Sequence, residues 1–483
     1  MKNDNCITRF APSPTGYIHI GNVRSAIYPY LIARQNHGKF ILRIEDTDRE
    51  RYVEGATDLI EDTLEWLGLE WDEGPEVGGE NGPYFQSERL PIYHEWVKKL
   101  LAKKRAYSDP TPPEVIEKYR KECAKKKIPF LYRNYRPKEL DFEFKEGVPI
   151  RFLSEPKEYE WTDAVMGEMK AGPEVQDDII LIKRDGYPTY NFAHIVDDAK
   201  MDVTHVMRGV EYLSSTPNYL GLYEAFGLER PVLASLPHIL APTGNKKLGK
   251  RDGAKSVTEY RDDGVLPEAM LNYLACLGWN DGTEQEIYTK NELIERFSLD
   301  RIQNSGARYD ETKLLWMNGQ WIRRIFDTEG AEALYTKTTG FWPEVAESYN
   351  KEYRLEVLSI IYDRLKTLSD LRTMTEYFFK DPEIDMGMLK DNKFLKKLSE
   401  AELEDLLKKS IRKLSDVKEW SAENLSQALN ELLKETEQKP AVLFSLIRIA
   451  VSFAPFSPAL DLTLDTLGKD TSLARLNAVA RTI

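Results

Sequence analysis

The stretch TRFAPSPTGYIHIGNVRSAI, Thr8 to Ile27, decides how the chain starts to fold. Thr8–Ala11 predicts a short β-strand. Pro12 and Pro14 fix their backbone torsions and donate no hydrogen bond, so they end it. Gly16 permits a tight reversal. The chain then enters a helix near Gly21, and Arg24–Asn36 continues it. A helix start presents unpaired N–H groups and the positive end of its dipole, which suit phosphate. At Gly21 any side chain would push a nucleotide base away, and His19 can donate to a phosphate oxygen. Alone, the motif reads as an ordinary strand–turn–helix corner with a satisfied histidine, so a nucleotide site needs a partner elsewhere.

That partner is GNKKLGKRDGA, Gly244 to Ala254, where Lys246, Lys247, Lys250 and Arg251 sit among three glycines. A basic loop of this kind can close over a triphosphate and neutralise charge that develops in a transition state. By itself it reads better as a solvated turn. The two motifs together point to one nucleotide cleft.

Working outward, Phe40–Ile44 is a bounded apolar run and predicts a second strand, and Thr57–Leu67 is an amphipathic helix. This alternation points to an α/β domain with a parallel sheet. Pro91 opens a further helix in which Ile92, Tyr93, Trp96, Val97, Leu100 and Leu101 keep helical spacing. Val148–Leu153 and Asp177–Lys183 read as strands. Beyond Trp321 the pattern is helical. Val357, Leu358, Ile361, Leu365, Leu368 and Leu371 form one apolar stripe, and Leu425, Leu429, Leu432 and Leu433 another.

A chain of 483 residues is too long for one core, and two to four structural units are expected. Its 41% hydrophobic and 30% charged content is that of a soluble globular protein. No apolar run reaches the ~18 residues of a membrane span; the best candidate, Ala441–Val451, is short and is interrupted by Arg448. MKNDNC lacks the apolar core of a secretion signal. Three cysteines, Cys6, Cys123 and Cys276, odd in number and far apart, fit a reducing compartment, so a cytoplasmic location is expected. The net charge of −13 by itself disfavours a polyanionic partner. Between Lys98 and Lys138, however, fourteen Lys and Arg face four acids, a local excess of +10. Tyr107, Tyr119, Phe130, Tyr132 and Tyr135 are interleaved with them. That segment reads either as a solvated lysine-rich face or as a surface for a single-stranded nucleic-acid end.

His19-Ile20-Gly21-Asn22 and Lys247-Leu248-Gly249-Lys250-Arg251 resemble the two signature motifs of class I aminoacyl-tRNA synthetases. The words RFAPSPTGYIHIGN, RIEDTDRERY, GPYFQSERLPIY, DGYPTYNFAHIVDDAKMDVTHVMRG and LLWMNGQWI narrow this to a resemblance to bacterial-type glutamyl-tRNA synthetases. They run in family order from Arg9 to Ile322. The resemblance implies a Rossmann-like α/β catalytic domain with a parallel sheet, an inserted acceptor-end-binding α/β domain, and an all-α C-terminal anticodon-binding region. The boundaries read as 1–105 and 177–243 for the catalytic halves and 106–176 for the insertion. Residues 244–325 would hold the signature loop and a stem-contact helical region, and 326–483 the anticodon-binding helices.

The implied activity is activation of L-glutamate by ATP with Mg²⁺, then transfer to the terminal ribose of tRNA(Glu); whether tRNA(Gln) is also charged stays open. His19, Lys247 and Lys250 match catalytic positions, and His19, Gly21, Asn22, Lys247, Lys250 and Arg251 the ATP-binding ones. Arg9, Ala11, Ser13, Glu45, Tyr190, His194 and Arg208 match the glutamate side. Arginine forks suit the two carboxylates and Glu45 the α-ammonium. Arg9 and Glu45 could also form a simple ion pair, and Tyr190 could be core. Gly249 stands where the family usually has serine, and Val210, Tyr212 and His194 also depart from the common pattern. With one cysteine and no histidine between Ala106 and Gln176, four zinc ligands cannot be assembled, so no structural zinc is expected. A monomer is implied by the resemblance alone. A glutaminyl-tRNA synthetase would end in β-barrels, a tRNA-modifying relative would be shorter, and a catalytically dead paralogue would not keep His19, Gly21, Glu45, Lys247 and Lys250.

Overall fold

Pro12 stops the first strand as the sequence predicts, and Ile7–Phe10 forms β1. Helix α1 (Ile20–Gln35) starts four residues before Arg24. The reason is local: His19 keeps extended torsions, and its carbonyl accepts from Asn22 N at 2.9 Å and Val23 N at 3.1 Å. Gly16 holds a φ of +122°, which only glycine adopts readily. Strand β2 (Lys39–Leu42) then pairs parallel with β1, Ile7 opposite Lys39 and Phe10 opposite Leu42. Val23, Ala26, Ile27, Tyr28, Tyr30 and Leu31 of α1 are all at most 2% exposed, so this helix is buried on nearly every side.

The computed structural model describes residues 6–16, 18–249, 255–454 and 457–483. It separates into two units, Met1–Tyr260 with Pro267–Glu311, and Arg261–Leu266 with Thr312–Ile483. In chain order the first unit continues with α2 (Ala56–Trp66), α3 (Leu90–Ala102), β3 (Ala106–Ser108), α4 (Pro113–Lys126) and β4 (Ile150–Phe152). After these come β5 (Tyr159–Asp163), β6 (Gly167–Ala171), β7 (Ile180–Ile182), α5 (Tyr190–Lys200), β8 (His205–Gly209), α6 (Thr216–Phe226) and β9 (Val232–Leu236). It ends with β10 (Ile239–Leu240), α7 (Val257–Asp262), α8 (Pro267–Cys276), α9 (Lys290–Arg296) and β11 (Ala307–Arg308).

Strands β8 and β9 pair parallel, and β9 pairs parallel with β5. Thr204 N donates to Ile7 O at 2.9 Å, which sets β8 beside β1. Strands β3, β4 and β7 form a separate antiparallel sheet. Pairing therefore crosses the boundary read at residue 176: β5 and β6 lie before it yet join β9, and β7 lies after it yet joins β4. Linear alternation of strands and helices carries no information about which strand a later one will meet.

The second unit is helical: α10 (Glu311–Glu329), α11 (Ala331–Lys337), α12 (Lys351–Ile361), α13 (Asp370–Phe379), α14 (Met386–Lys390), α15 (Glu400–Ser415), α16 (Ala422–Thr436), α17 (Pro440–Ser452), α18 (Leu460–Leu467) and α19 (Lys469–Thr482). No strand occurs among its described residues. Ser399 and Glu402 cap α15 reciprocally, and Asn350 caps α12 through Tyr353 N. The stripe from Val357 to Leu371 is buried throughout, but it does not lie on one helix. α12 ends at Ile361, Leu365 and Leu368 sit in the connection, and Leu371 begins α13. Leu425, Leu429 and Leu432 of α16 are buried and Leu433 is half-buried. The apolar run around Arg448 is α17, whose Leu443, Leu446 and Ile447 are fully buried, while Arg448 Nε donates to Ser457 Oγ at 2.7 Å. No helix of the described residues is long and apolar enough to cross a membrane.

Leu446 is 0% exposed within this core. Leu446→Ala should lower stability by about 2–5 kcal/mol, the cost of lost transfer energy plus a cavity, measured by urea unfolding followed by circular dichroism.

Candidate active site

The loop that leaves β1 and the end of β2 are tied by Glu45 N donating to Pro12 O at 2.9 Å. This places Glu45 beside the residues that follow β1. A cleft of about 500 Å³ opens here, wholly within the first unit. Arg9, Ala11, Ser13, His19, Gly21, Asn22, Glu45, Tyr190 and Arg208, all singled out by the sequence, line it. Lys247 and Gly249 line it too. His19 forms a β-bridge with Ser256, and Leu240 with Lys247, so the two signature stretches come together as the reading of the first motif required. Lys250 and Arg251 lie outside the described residues. At Gly21 no heavy atom lies within 4 Å of where a Cβ would sit, so the cleft is open at that point.

Behind the cleft is a buried charge cluster. Asp198 Oδ1 accepts from Arg9 Nε at 3.0 Å and from Arg43 Nη1 at 2.8 Å, and Asp198 Oδ2 from Arg9 Nη2 at 3.2 Å. Arg9 Nη1 donates to Met207 O at 3.2 Å. Glu45 pairs with Arg43 at 3.2 Å rather than with Arg9. Asp197 takes Arg89 Nε at 2.7 Å, the Tyr93 hydroxyl at 2.8 Å and Gln86 Nε2 at 2.8 Å. Burial favours a neutral Asp198, but the Arg9 and Arg43 charges outweigh it and hold the carboxyl well below the usual range. Glu45 is the opposite case: burial pushes it up to about 7 despite Arg43 and Arg9.

Arg208 has no carboxylate within ion-pair distance among the described residues. Its guanidinium lies 4.5 Å from the centre of the Tyr219 ring and 5.6 Å from that of Tyr212. Its Nη1 donates to His194 Nε2 at 3.1 Å, and His194 Nδ1 lies 2.7 Å from Tyr190 O, which fixes the proton on Nδ1. Burial, helped by Arg208, lowers His194 to about 3, so the ring stays neutral. His194 is 1% exposed and is not part of the cleft wall. It orients Arg208 and stacks on Tyr190 at 4.8 Å; Tyr190 in turn packs on Tyr212 at 4.6 Å. Lys247 Nζ pairs with Glu211 Oε1 at 3.0 Å, and His238 Nδ1 lies 3.7 Å from Glu211 Oε2.

Two family models match the chain: "tRNA synthetases class I (E and Q), catalytic domain" over residues 5–316, and "Anticodon binding domain" over residues 331–480. Among curated relatives, a glutamate–tRNA ligase of Dehalococcoides mccartyi is 40% identical over 482 residues, covering 98% of this chain and 97% of that one. The chain belongs to the class I glutamate–tRNA ligases. A glutamate–tRNA ligase of Clostridium botulinum is likewise 40% identical over 488 residues, covering 99% and 98% of the two chains. A crystal structure of a glutamate tRNA ligase from Elizabethkingia meningosepticum in complex with its amino acid matches with a TM-score of 0.87 at 31% identity, covering 99% of each chain.

Sequence reasoning missed Arg43, Asp198, Arg24 and His238. An arginine inside the apolar run FILRIE and a paired aspartate inside the apolar helix YNFAHIVDDAK were the available signals, since a charge in such a setting must be partnered. Asp198→Asn would leave two buried guanidinium groups short of charge. It should cost about 3–5 kcal/mol of stability, read by denaturant unfolding of the free chain.

Proposed function

We propose that this cleft joins L-glutamate to tRNA(Glu) in two steps that share one site. The glutamate α-carboxylate oxygen attacks the α-phosphorus of ATP, the bond to the β-phosphate breaks, and pyrophosphate leaves. A hydroxyl of the tRNA's 3′-terminal ribose then attacks the carbonyl of the glutamyl-adenylate and releases AMP. Members of this family are tRNA synthetases, and the observation that carries the finer reading is that Gly21 and Lys247–Gly249 line one cleft with Arg9, Glu45 and Arg208.

The residues divide by charge. Arg208, with no carboxylate partner among the described residues, and Arg9, with donors left over from Asp198, suit glutamate's carboxylates. Glutamine would leave the half-buried Arg208 guanidinium without its counter-charge. Ionised Glu45 accepts from the α-ammonium; Ala11, Ser13 and Tyr190 shape the surrounding wall. His194 acts through Arg208. His19, Asn22 and the N–H groups opening α1 suit the triphosphate, with Gly21 leaving room for the nucleotide. Lys247 offsets charge that grows on the pyrophosphate, a role shared by Lys250 and Arg251. Mg²⁺ would enter on the triphosphate and neutralise part of its charge. Among the described residues no group of three His, Cys, Asp or Glu gathers to hold a metal, and the reading includes no structural zinc. Gly249 in place of serine removes one hydroxyl from the signature loop but no charge.

For the tRNA we assign the acceptor end to the segment 106–176. The lysines of α4, Lys118, Lys121, Lys125 and Lys126, are exposed. Tyr119 stacks on Tyr135 at 4.2 Å, and Phe130 lies 5.8 Å from Tyr135; all three are half-buried. Tyr107 and Tyr132 are core instead: their hydroxyls are held by Asp178 and Thr111, and the Arg151 guanidinium lies 3.5 Å from the centre of the Tyr132 ring. The helices of 326–483 are assigned to the anticodon. A monomer working in the cytoplasm completes the reading.

Glutamate-dependent ATP–pyrophosphate exchange, run with and without tRNA(Glu), tests it, alongside charging of purified tRNA(Glu) and tRNA(Gln). Exchange with glutamine but not glutamate would sink the assignment. Lys247 is 61% exposed at its side chain, so Lys247→Ala should fold normally and lose roughly a hundredfold in kcat. A second test uses pH. Glu45 titrates near 7 in the free enzyme, and only its ionised form accepts from the ammonium. The KM for glutamate should therefore rise roughly eightfold from pH 7.5 to pH 6, and Glu45→Gln should abolish that dependence while raising KM at pH 7.5.

A further inference from the structure

Arg24 is 5% exposed and, unlike Arg9, Arg43 and Arg89, has no carboxylate partner among the described residues. Its Nη1 donates to Leu277 O at 3.0 Å and its Nη2 to Pro237 O. Its Nε is buried without a hydrogen-bond partner. Leu277 follows the last residue of α8, so part of the charge is offset by the negative end of that helix. Burial nevertheless draws the guanidinium below its ordinary range.

The side chain is also placed where the reaction needs it. It leaves α1 one turn after the phosphate-facing start and lines the cleft together with Gly21, Asn22 and Ser25. Through Pro237 it holds the turn between β9 and β10; Pro237 and His238 of that turn and Ile239, which opens β10, line the same cleft. One of its two acceptor carbonyls has another donor in reach: Leu277 O lies 3.2 Å from the Tyr28 hydroxyl, whose single proton is divided between Leu277 O and Ala275 O. A side chain of similar length and no charge would thus leave little unsatisfied apart from Pro237 O.

We propose that Arg24 is a nucleotide-side positioning residue: its buried cation joins the α1 and Pro237–Ile239 walls of the cleft and meets its counter-charge only when the polyphosphate of ATP is bound. The proposal rests on the assignment of this cleft to ATP. It explains why the chain keeps a buried charge that costs the free protein stability.

The test compares Arg24→Met and Arg24→Lys with the wild type, using thermal unfolding with and without ATP–Mg²⁺ and steady-state charging of tRNA. For Arg24→Met the free chain should melt within about 2 °C of wild type or above it, and the upward shift given by ATP should largely disappear. Its KM for ATP should rise at least about tenfold while its KM for glutamate stays within about twofold. Arg24→Lys, which keeps the charge, should recover part of the ATP shift. A marked loss of melting temperature or of soluble protein in Arg24→Met would show that the guanidinium holds the fold, and an intact ATP response would show that the nucleotide does not use it; either overturns the proposal. A wild type with no ATP shift would overturn the nucleotide assignment itself, and the proposal with it.

Discussion

One carboxylate, Asp198, holds the first unit in the shape its chemistry needs. It is 2% exposed and lies between two arginines that belong to different strands of the sequence, Arg9 in β1 and Arg43 just after β2, while Asp198 itself comes from α5. Three elements separated by up to 189 positions are fixed by one side chain. A buried charge of this kind tolerates only one arrangement, because every alternative strands an ion in a low dielectric. The cost of burying three ions is offset only while all three hold their places. Arg9 is thereby presented to the cleft with its plane set by a two-point grip, and Arg43 is left one Nη group with which to reach Glu45.

Glu45 shows how that order becomes reactivity. Its carboxyl is pushed up to about 7, so in the empty site it stands near balance between neutral and ionised forms. An arriving ammonium would tip the balance to the ionised form. The same desolvation that makes the ionised form unfavourable would, on the proposed assignment of Glu45 to the α-ammonium, strengthen that pairing. Arg208 is prepared differently. It is held by a neutral imidazole and by aromatic rings rather than by a carboxylate, so its charge remains available to a substrate. His194 meets Arg208 through this hydrogen bond and does not line the cleft.

The sequence made the local shape of the site legible because local rules govern it. Prolines end β1, Gly16 takes a positive φ, and the HIGN stretch starts a helix; these follow from the torsional limits of those residues. That the lysine-rich stretch meets the same corner was legible only from the pairing of motifs, and the His19–Ser256 bridge is its physical form. What could not be read was long-range pairing. Nothing in YEWTD says that β5 will lie parallel to β9, nor in ILI that β7 will join β4. The apolar stripe from Val357 to Leu371 is buried as its spacing implies, yet a turn breaks it after Ile361, because periodic burial can be met by two short helices as well as by one. Of the aromatics among the lysines, Tyr107 and Tyr132 face inward with partnered hydroxyls while Tyr119, Phe130 and Tyr135 stay half-buried, and residue type alone does not show which ring will find a partner.

The distribution of buried charge ties these observations together. The chain as a whole carries −13, yet among the described residues that line or back the cleft Arg9, Arg24, Arg43, Arg89, Arg208 and Lys247 outnumber Glu45, Asp197, Asp198 and Glu211. The surplus is therefore local and positive, and it is not spread evenly. Arg43 and Arg89 are bound within the cluster and serve the fold. Arg9 is shared, with one edge on Asp198 and donors to spare. Arg24 and Arg208 have no carboxylate partner among the described residues. A protein selected for stability alone would neutralise or replace those two groups, since a cation that is buried, as Arg24 is, or half-buried, as Arg208 is, works against folding when no counter-charge meets it. Keeping them makes sense if the missing negative charge arrives with the substrates: a carboxylate beside Arg208, a polyphosphate beside Arg24. On that account the free enzyme is electrostatically incomplete, binding of glutamate and ATP completes it, and the two substrates stabilise one cleft from its two unpaired arginines.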